Sequence, residues 1–471
     1  MLFSSVTFLY WFLPVVLVVY FLIPDGRGQK QMPRNMWLLL SSLVFYAWGE
    51  PEYAILMVLQ ILSGWFFGLL IERFRGGIGA KLALIAALAV GLGGLAFFKY
   101  ADFFLANLNR LPGVDIPLLK IALPIGISFY TFQALSYDID LYRNEAAVQK
   151  NPLLLATYVV LFPQLIAGPI VRYVDVAREL KSRKTTLEDF GVGARRFVAG
   201  LAKKVLIANT LAEVVGIFAA ENNALAAWLY LITYGLQIYF DFSGYSDMAI
   251  GLGKILGFKF LENFDYPYIS RSITEFWRRW HISLSSWFRD YVYITLGGNR
   301  RGAARQVLNI LVVWLLTGFW HGAGWNFILW GLYFGLLLLI EKFLLEKPLK
   351  KLPSALSHVY VIALVLISWV FFNSFSAGEI AHRLGLLVGA GTGGAYTAKT
   401  LYYLRSYFVP ILIAIIGATP LPKNLLTIAE NSRSLKTALA AAEPIAVAVL
   451  LIAVSAYLAD GSFNPFIYFR F

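Results

Sequence analysis

Apolar residues run through this chain in long blocks, near residues 6–24, 36–48, 53–71, 82–98, 116–137, 153–170, 205–220, 225–256, 307–340, 359–373, 406–419 and 443–459. Charged residues gather between them. A helix needs about 20 apolar residues to cross a bilayer, so most blocks predict one crossing each. The blocks at 225–256 and 307–340 are too long for one plain crossing. Each predicts a long tilted helix, or a span with a re-entrant piece. The pattern as a whole predicts an all-α polytopic membrane protein with about eleven crossings. No repeat of fixed period breaks the pattern. The polar interval at about 420–440 reads as a loop with a short helix, so 1–471 reads as a single membrane domain.

Loop charges set an orientation. Arg27, Lys30 and Arg34 in the loop 25–35 predict a cytoplasmic face, because lysine and arginine are retained inside. Glu50 and Glu52 suit the outside, and Arg73, Arg75 and Lys81 return the chain to the inside, which places the N-terminus outside. The first block has neither a basic n-region nor a small-residue cleavage site and reads as a retained span. Simple alternation then fails at the strongly basic stretch 172–204, so one of the preceding blocks does not cross. The candidates are 116–137, interrupted by Pro124-Ile125-Gly126, and 153–170, with Pro163 and Gly168-Pro169. Irregular backbone at membrane depth survives only where protein or a water-lined cavity satisfies it.

Composition agrees with lipid as the solvent. Charged residues make up 14% of the chain and hydrophobic residues 59%, against about 25% charged in a soluble domain. The net charge of +13 is spread beside apolar blocks, as inside-facing loops require, and not gathered as a nucleic-acid footprint. The absence of cysteine excludes disulfides, thiolate nucleophiles, iron–sulfur clusters and cysteine-bound zinc. No G-x-S-x-G elbow or H-E-x-x-H pair is present, and without a Walker A motif ATP-driven transport has no support; no metal site is expected.

Residues 261–302 differ from the rest. Arg278, Arg279, Arg289 and other charges alternate with aromatic residues, and Phe276, Trp280, Leu284, Trp287 and Tyr291 recur at helical spacing. This predicts an amphipathic helix, capped near Ser272 and stopped at Gly297-Gly298-Asn299. One reading is an interfacial anchor in the headgroup plane. The other adds a task, with basic side chains holding the phosphates of an acyl donor.

Only four histidines occur: His281, His321, His358 and His382. The last two sit near loop ends and read as ordinary interfacial residues. His321 lies inside the apolar block 307–340, and an ionisable residue at membrane depth is a functional candidate. Gly318, Gly322 and Gly324 remove bulk around it, which lets a backbone or a substrate approach, while Trp320, Trp325 and Trp330 would wall the site. Its imidazole suits general-base work. A buried histidine bonded across helices is the alternative. His281, on the amphipathic segment, reads by itself as structural. Gln237, Asp241 and Tyr245 share one helical face. Asp241 and Asp247 then either brace the basic segment through buried pairs or form a proton relay, and bracing is favoured because no further acid continues a path.

The stretch F-W-R-R-W-H-I-S-L-S-S-W-F-R-D-Y at 276–291, L-G-G-N-R at 296–300 and W-H-G-A-G-W-N-F-I-L-W-G at 320–331 resemble the membrane-bound O-acyltransferase family, in its bacterial alginate O-acetyltransferase-like branch. The stretches at 45–50, 124–133, 162–172 and 239–249 carry the same resemblance, to about residue 340. It implies a ring of helices, with re-entrant and interfacial pieces, around a central funnel and tunnel. It implies His321 as the invariant histidine and His281 as the second. Arg278, Arg279, Arg289, Trp320, Trp325 and Asn326 would then serve the donor or substrate, and Asp241, Tyr245 and Asp247 would support them. The resemblance further implies a bacterial inner-membrane enzyme that draws acetyl groups from cytoplasmic acetyl-CoA, with no permanently bound cofactor. Acetyl groups would pass to an extracytoplasmic polysaccharide through a periplasmic SGNH-type acetyltransferase. The competing expectations are D-alanyl transfer to teichoic acid and a proton-coupled secondary transporter. The absence of a detectable internal repeat counts against the transporter.

Overall fold

The computed structural model describes residues 1–24, 26 and 31–461. Arg27 and Lys30, used above for orientation, lie outside the described residues. Helices carry the fold and no β-strand occurs among the described residues. The chain forms two compact units, one of Met1–Phe197 with Met248–Leu261 and one of Val198–Asp247 with Glu262–Phe471.

Among the described residues, six helices are long and apolar enough to cross a membrane, or seven if the bent pair Ala398–Ser406 and Phe408–Gly417 counts as one span. About eleven were expected. The difference arises where apolar blocks form short or broken helices. Residues 8–22 make an apolar helix below crossing length. The block at 36–48 sits in the 16-residue helix Met32–Ala47. The block at 205–220 joins a π-helical turn, Lys203–Ala208, to the helix Asn209–Ala219.

In the first unit, Pro51–Arg73 and Ile78–Leu108 pack against each other and against Ile127–Tyr142. Both suspected non-crossing blocks are broken. The helix of the 116–137 block starts only at Ile127, after Gly126 at φ +76°. A side chain there would also meet the carbonyl oxygen of Leu165 at 2.9 Å, so the turn requires glycine. The helix beyond it buries Thr131, Gln133, Ser136, Asp138 and Asp140 among its apolar residues, which marks it as protein-enclosed and not lipid-facing. The 153–170 block splits into Pro152–Val160 and Phe162–Leu165.

In the second unit, the 307–340 block is two helices and neither of the two predicted alternatives. Ala303–His321 and Trp325–Lys351 form an antiparallel hairpin. Ser354–Phe372 packs on the second arm. The 225–256 block is one helix of 32 residues, Ala224–Ile255, about 48 Å long at 1.5 Å per residue. Aromatic rings from these elements, including Trp277, Trp280, Trp330 and Phe334, fill the core.

The amphipathic segment is not one helix. It runs as Ile273–Arg279, a break, Ile282–Trp287 and a π-helical stretch to Tyr293. Both predicted ends are found. The Ser272 side chain accepts from the Glu275 amide at the start, and Gly297 and Gly298 turn the chain at positive φ. The break falls at His281, whose φ of +46° lies in the left-handed region. That conformation costs a non-glycine residue roughly 1–2 kcal/mol, and the surrounding contacts must hold it.

Candidate active site

His321 is the last residue of its helix, at the turn of the hairpin, and not in mid-span as its apolar surroundings suggested. The imidazole is walled by Trp330, Trp320 and Phe372, at ring-centroid distances of 4.9, 5.0 and 5.5 Å. Trp325 begins the second arm and is 53% exposed. Phe372 ends the third helix of this group. Its carbonyl accepts from the Asn326 side chain at 3.0 Å. Asn326, expected to meet substrate, thus ties that helix end to the hairpin.

The glycines serve the hairpin. Read from sequence, they allowed a backbone or a substrate to approach the imidazole. In the structure, a Cβ on Gly318 would meet the backbone of Phe327, and one on Gly322 or Gly324 would meet the Phe327 ring or the Asn326 side chain. The second arm fills the space. Close helix approach through small residues is the usual packing device where lipid gives no hydrophobic drive.

His281 also comes to Trp320, with ring centroids 6.1 Å apart. Phe242, from the long helix, packs edge-on at 4.7 Å. The extended stretch before the break pins it: the Asp265 amide donates to the Arg279 carbonyl and the Ile282 amide to the Asn263 carbonyl, each at 3.0 Å. Further back, the buried Glu341 carboxylate accepts from the Ile273 amide at 2.6 Å and from the Thr274 amide and hydroxyl at 2.9 Å each. Glu341 lies on the hairpin's second arm, and Trp277 packs against Trp330 and Phe334 of the same arm. The element carrying His281 is therefore fastened to the element that follows His321.

The predicted basic residues are not equivalent. Arg279 is neutralised by Asp265 at 2.8 Å and Glu275 at 3.0 Å. Arg289 pairs with the adjacent Asp290 at 2.6 Å. Arg278 is exposed. Asp241 and Asp247 pair with lysines that lie outside this basic segment. Asp241 pairs with Lys204 and Asp247 with Lys203, both at 2.7 Å, on the π-helical turn at 203–208. Tyr245 is buried one helical turn beyond Asp241. His358 donates or accepts at Ser354 and meets the Ser270 carbonyl at 3.1 Å. His382 lines a separate cleft with Glu221, Tyr230, Glu379 and Arg383.

Asn263, Ser283, Phe242, Phe372 and Glu341 were not singled out from sequence. Nothing local marks them. Each gains its place through a partner 18 or more positions away, Ser283 through Asn263.

His281 lies outside the crossing-length helices, and burial lowers its pKa from 6.5 to about 3. The unfolded chain takes up a proton near pH 6.5 that the folded chain refuses until about 3. The stability tied to the neutral ring is complete above pH 6.5 and is lost as pH falls toward 3. Thermal unfolding in detergent should show this decline, and His281→Asn should flatten it. Equal slopes in the two proteins would remove His281 as the cause.

The profile of "MBOAT, membrane-bound O-acyltransferase family" matches residues 119–371. Over 494 aligned positions the chain is 39% identical to "Probable alginate O-acetylase AlgI" of Pseudomonas putida, covering all of both chains. It is 35% identical to the "Peptidoglycan O-acetyltransferase" of Helicobacter pylori, covering 83% of this chain and 80% of that one. It is 30% identical to the "Teichoic acid D-alanyltransferase" of Bacillus subtilis, covering 55% and 70%. The similarity thus extends past residue 340, where recognisable motifs stopped. With these matches, and with the helical membrane architecture around His321, the chain belongs to the membrane-bound O-acyltransferase family and is an O-acyltransferase.

Proposed function

We propose that this enzyme takes acetyl groups from acetyl-CoA at the cytoplasmic face of a bacterial inner membrane and passes them on for O-acetylation of a polysaccharide outside. The reading rests on one observation. His321 and His281 both pack against Trp320 in a chain similar from end to end to a protein named as an alginate O-acetylase. In the reaction, an acceptor hydroxyl attacks the thioester carbonyl, a C–O bond forms and the C–S bond breaks. The His321 imidazole takes the hydroxyl proton and returns it to the departing thiolate. Trp320, Trp330 and Phe372 keep water from the imidazole. Exposed Arg278 supplies a cation for the donor's phosphates, which paired Arg279 and Arg289 are less free to do. A tunnel within a ring of helices would let the acyl group cross while the donor stays inside, and an SGNH-type acetyltransferase would finish the transfer. The paired state of Asp241 and Asp247 speaks against the proton path that a transporter needs.

His321→Ala should lower acetyl transfer by roughly 10²–10⁴-fold, the range of general acid–base contributions, with normal protein level in the membrane. The measurement is the acetyl content of surface polymers in a deletion strain carrying each variant. Full acetylation by His321→Ala would falsify the reading. Restoration of D-alanine esters in place of acetyl esters would favour the teichoic acid reaction, for which similarity to the Bacillus subtilis protein is the support.

A further inference from the structure

The backbone amide of Ser283 points at Asn263 Oδ1, at 3.2 Å, and the Ser283 hydroxyl donates to the same oxygen at 2.9 Å. An amide N–H requires an acceptor, so this contact fixes which end of the Asn263 amide faces inward. His281 Nδ1 lies 3.2 Å from that same oxygen. Two lone pairs at this distance would repel, so Nδ1 carries the proton. A neutral imidazole then has its lone pair on Nε2. His281 is 1% exposed and its Nε2 has no hydrogen-bond partner among the described residues. Asn263 is itself fully buried and held by its backbone, whose carbonyl accepts from Ile282.

We infer that Asn263 is a positioning residue that locks His281 in the Nδ1–H tautomer and leaves Nε2 to accept an O–H or N–H from the bound substrate beside Trp320. The inference rests on the reading of His281 as part of the active site. It also narrows that role. A neutral ring protonated at Nδ1 has only a lone pair at Nε2, so Nε2 cannot donate to a thioester carbonyl or to an oxyanion. It can receive a hydroxyl of the acyl acceptor, or an amide N–H of the donor's arm. The left-handed break at His281 is explained by the same contacts, since it brings Nδ1 and the Ser283 amide to one oxygen.

The test is ¹⁵N NMR of the histidine rings in the full chain in lipid nanodiscs, with the His281 signal assigned by its loss in His281→Asn. The expected wild-type signal is a pyrrole-type Nδ1 and a pyridine-type Nε2. Asn263→Asp keeps the oxygen and should keep the pattern, whereas Asn263→Ala should move the ring toward mixed tautomers and lower transfer at least tenfold, in kcat more than in KM. A proton on Nε2 in the wild type, or an unchanged tautomer in Asn263→Ala, overturns the lock whatever the activity does. A shifted tautomer with undiminished transfer overturns the positioning role and with it the part assigned to His281. His321→Ala reports separately on the acyltransferase reading. Ser283→Ala, which removes one hydroxyl and keeps the amide contact, should leave the tautomer in place and guards against loss of fold.

Discussion

Gly331→Ala is expected to destroy both stability and transfer without touching either histidine. A Cβ on Gly331 would run into the carbonyl oxygen of Trp314 and sit 3.1 Å from the Gly318 Cα. Both obstacles are backbone of the opposite arm, so no side-chain rotation relieves them. The arms must part, and dense interiors charge about 1–3 kcal/mol or more for such overpacking. Parting them moves His321, which ends the first arm, away from Trp330 on the second. Thermal unfolding in detergent and polymer acetylation should fall together. Gly335→Ala is the graded comparison, because its nearest obstacle, the Trp314 Cβ at 3.2 Å, needs to give by only a few tenths of an ångström. Gly93→Ala, in open space on its helix, should be neutral or slightly stabilising, since alanine is about 0.8–1 kcal/mol better than glycine in a helix. A Gly331→Ala protein with wild-type unfolding temperature would show that the hairpin is looser than described.

Lys204→Ala should be the most damaging single change away from the hairpin. Lys204 and Asp241 pair at 2.7 Å with side chains 1% and 4% exposed, and the lysine also donates to Asn209 at 3.1 Å. Removing one member of a buried pair leaves the other charge in a poor solvent, at a cost of about 3–5 kcal/mol. Replacing both by apolar residues of similar size, Lys204→Met with Asp241→Leu, should recover most of that loss, because two costly desolvations disappear together. The double variant also separates two roles for Asp241. A brace predicts a folded protein that still transfers acetyl groups, whereas a supporting charge in the reaction predicts a folded protein with little transfer. Equal instability of the single and double variants would mean that these residues pack by shape alone.

Periodicity and turn chemistry read well wherever the deciding interactions are local. The cap at Ser272 and the stop at Gly297-Gly298 were visible because each needs only a few neighbouring residues. The interrupted block before Ile127 was visible for the same reason, through its proline and glycine. The break at Trp280–His281 was not. No glycine or proline marks it, and the apolar spacing continues across it as if one helix ran through. The left-handed turn is held by Asn263 and by main-chain bonds to 263–265, which no local pattern encodes. Glycines around His321 were read correctly as places of close approach, but sequence could not say that the approaching group is the second arm.

By itself, then, the sequence determined the solvent, the helical class, the family and the candidate imidazoles. These follow from composition, from runs of apolar residues and from short position-specific motifs. The tertiary structure decided which acids pair with which lysines, which arginines are ion-paired and how Asn263 aims the His281 ring. It also turned one apolar run into two antiparallel arms with His321 at their turn. The physical reason is the same throughout: hydrophobicity and capping act over a few residues, whereas a buried charge or an imidazole tautomer is set by whichever distant group folding brings within hydrogen-bonding reach.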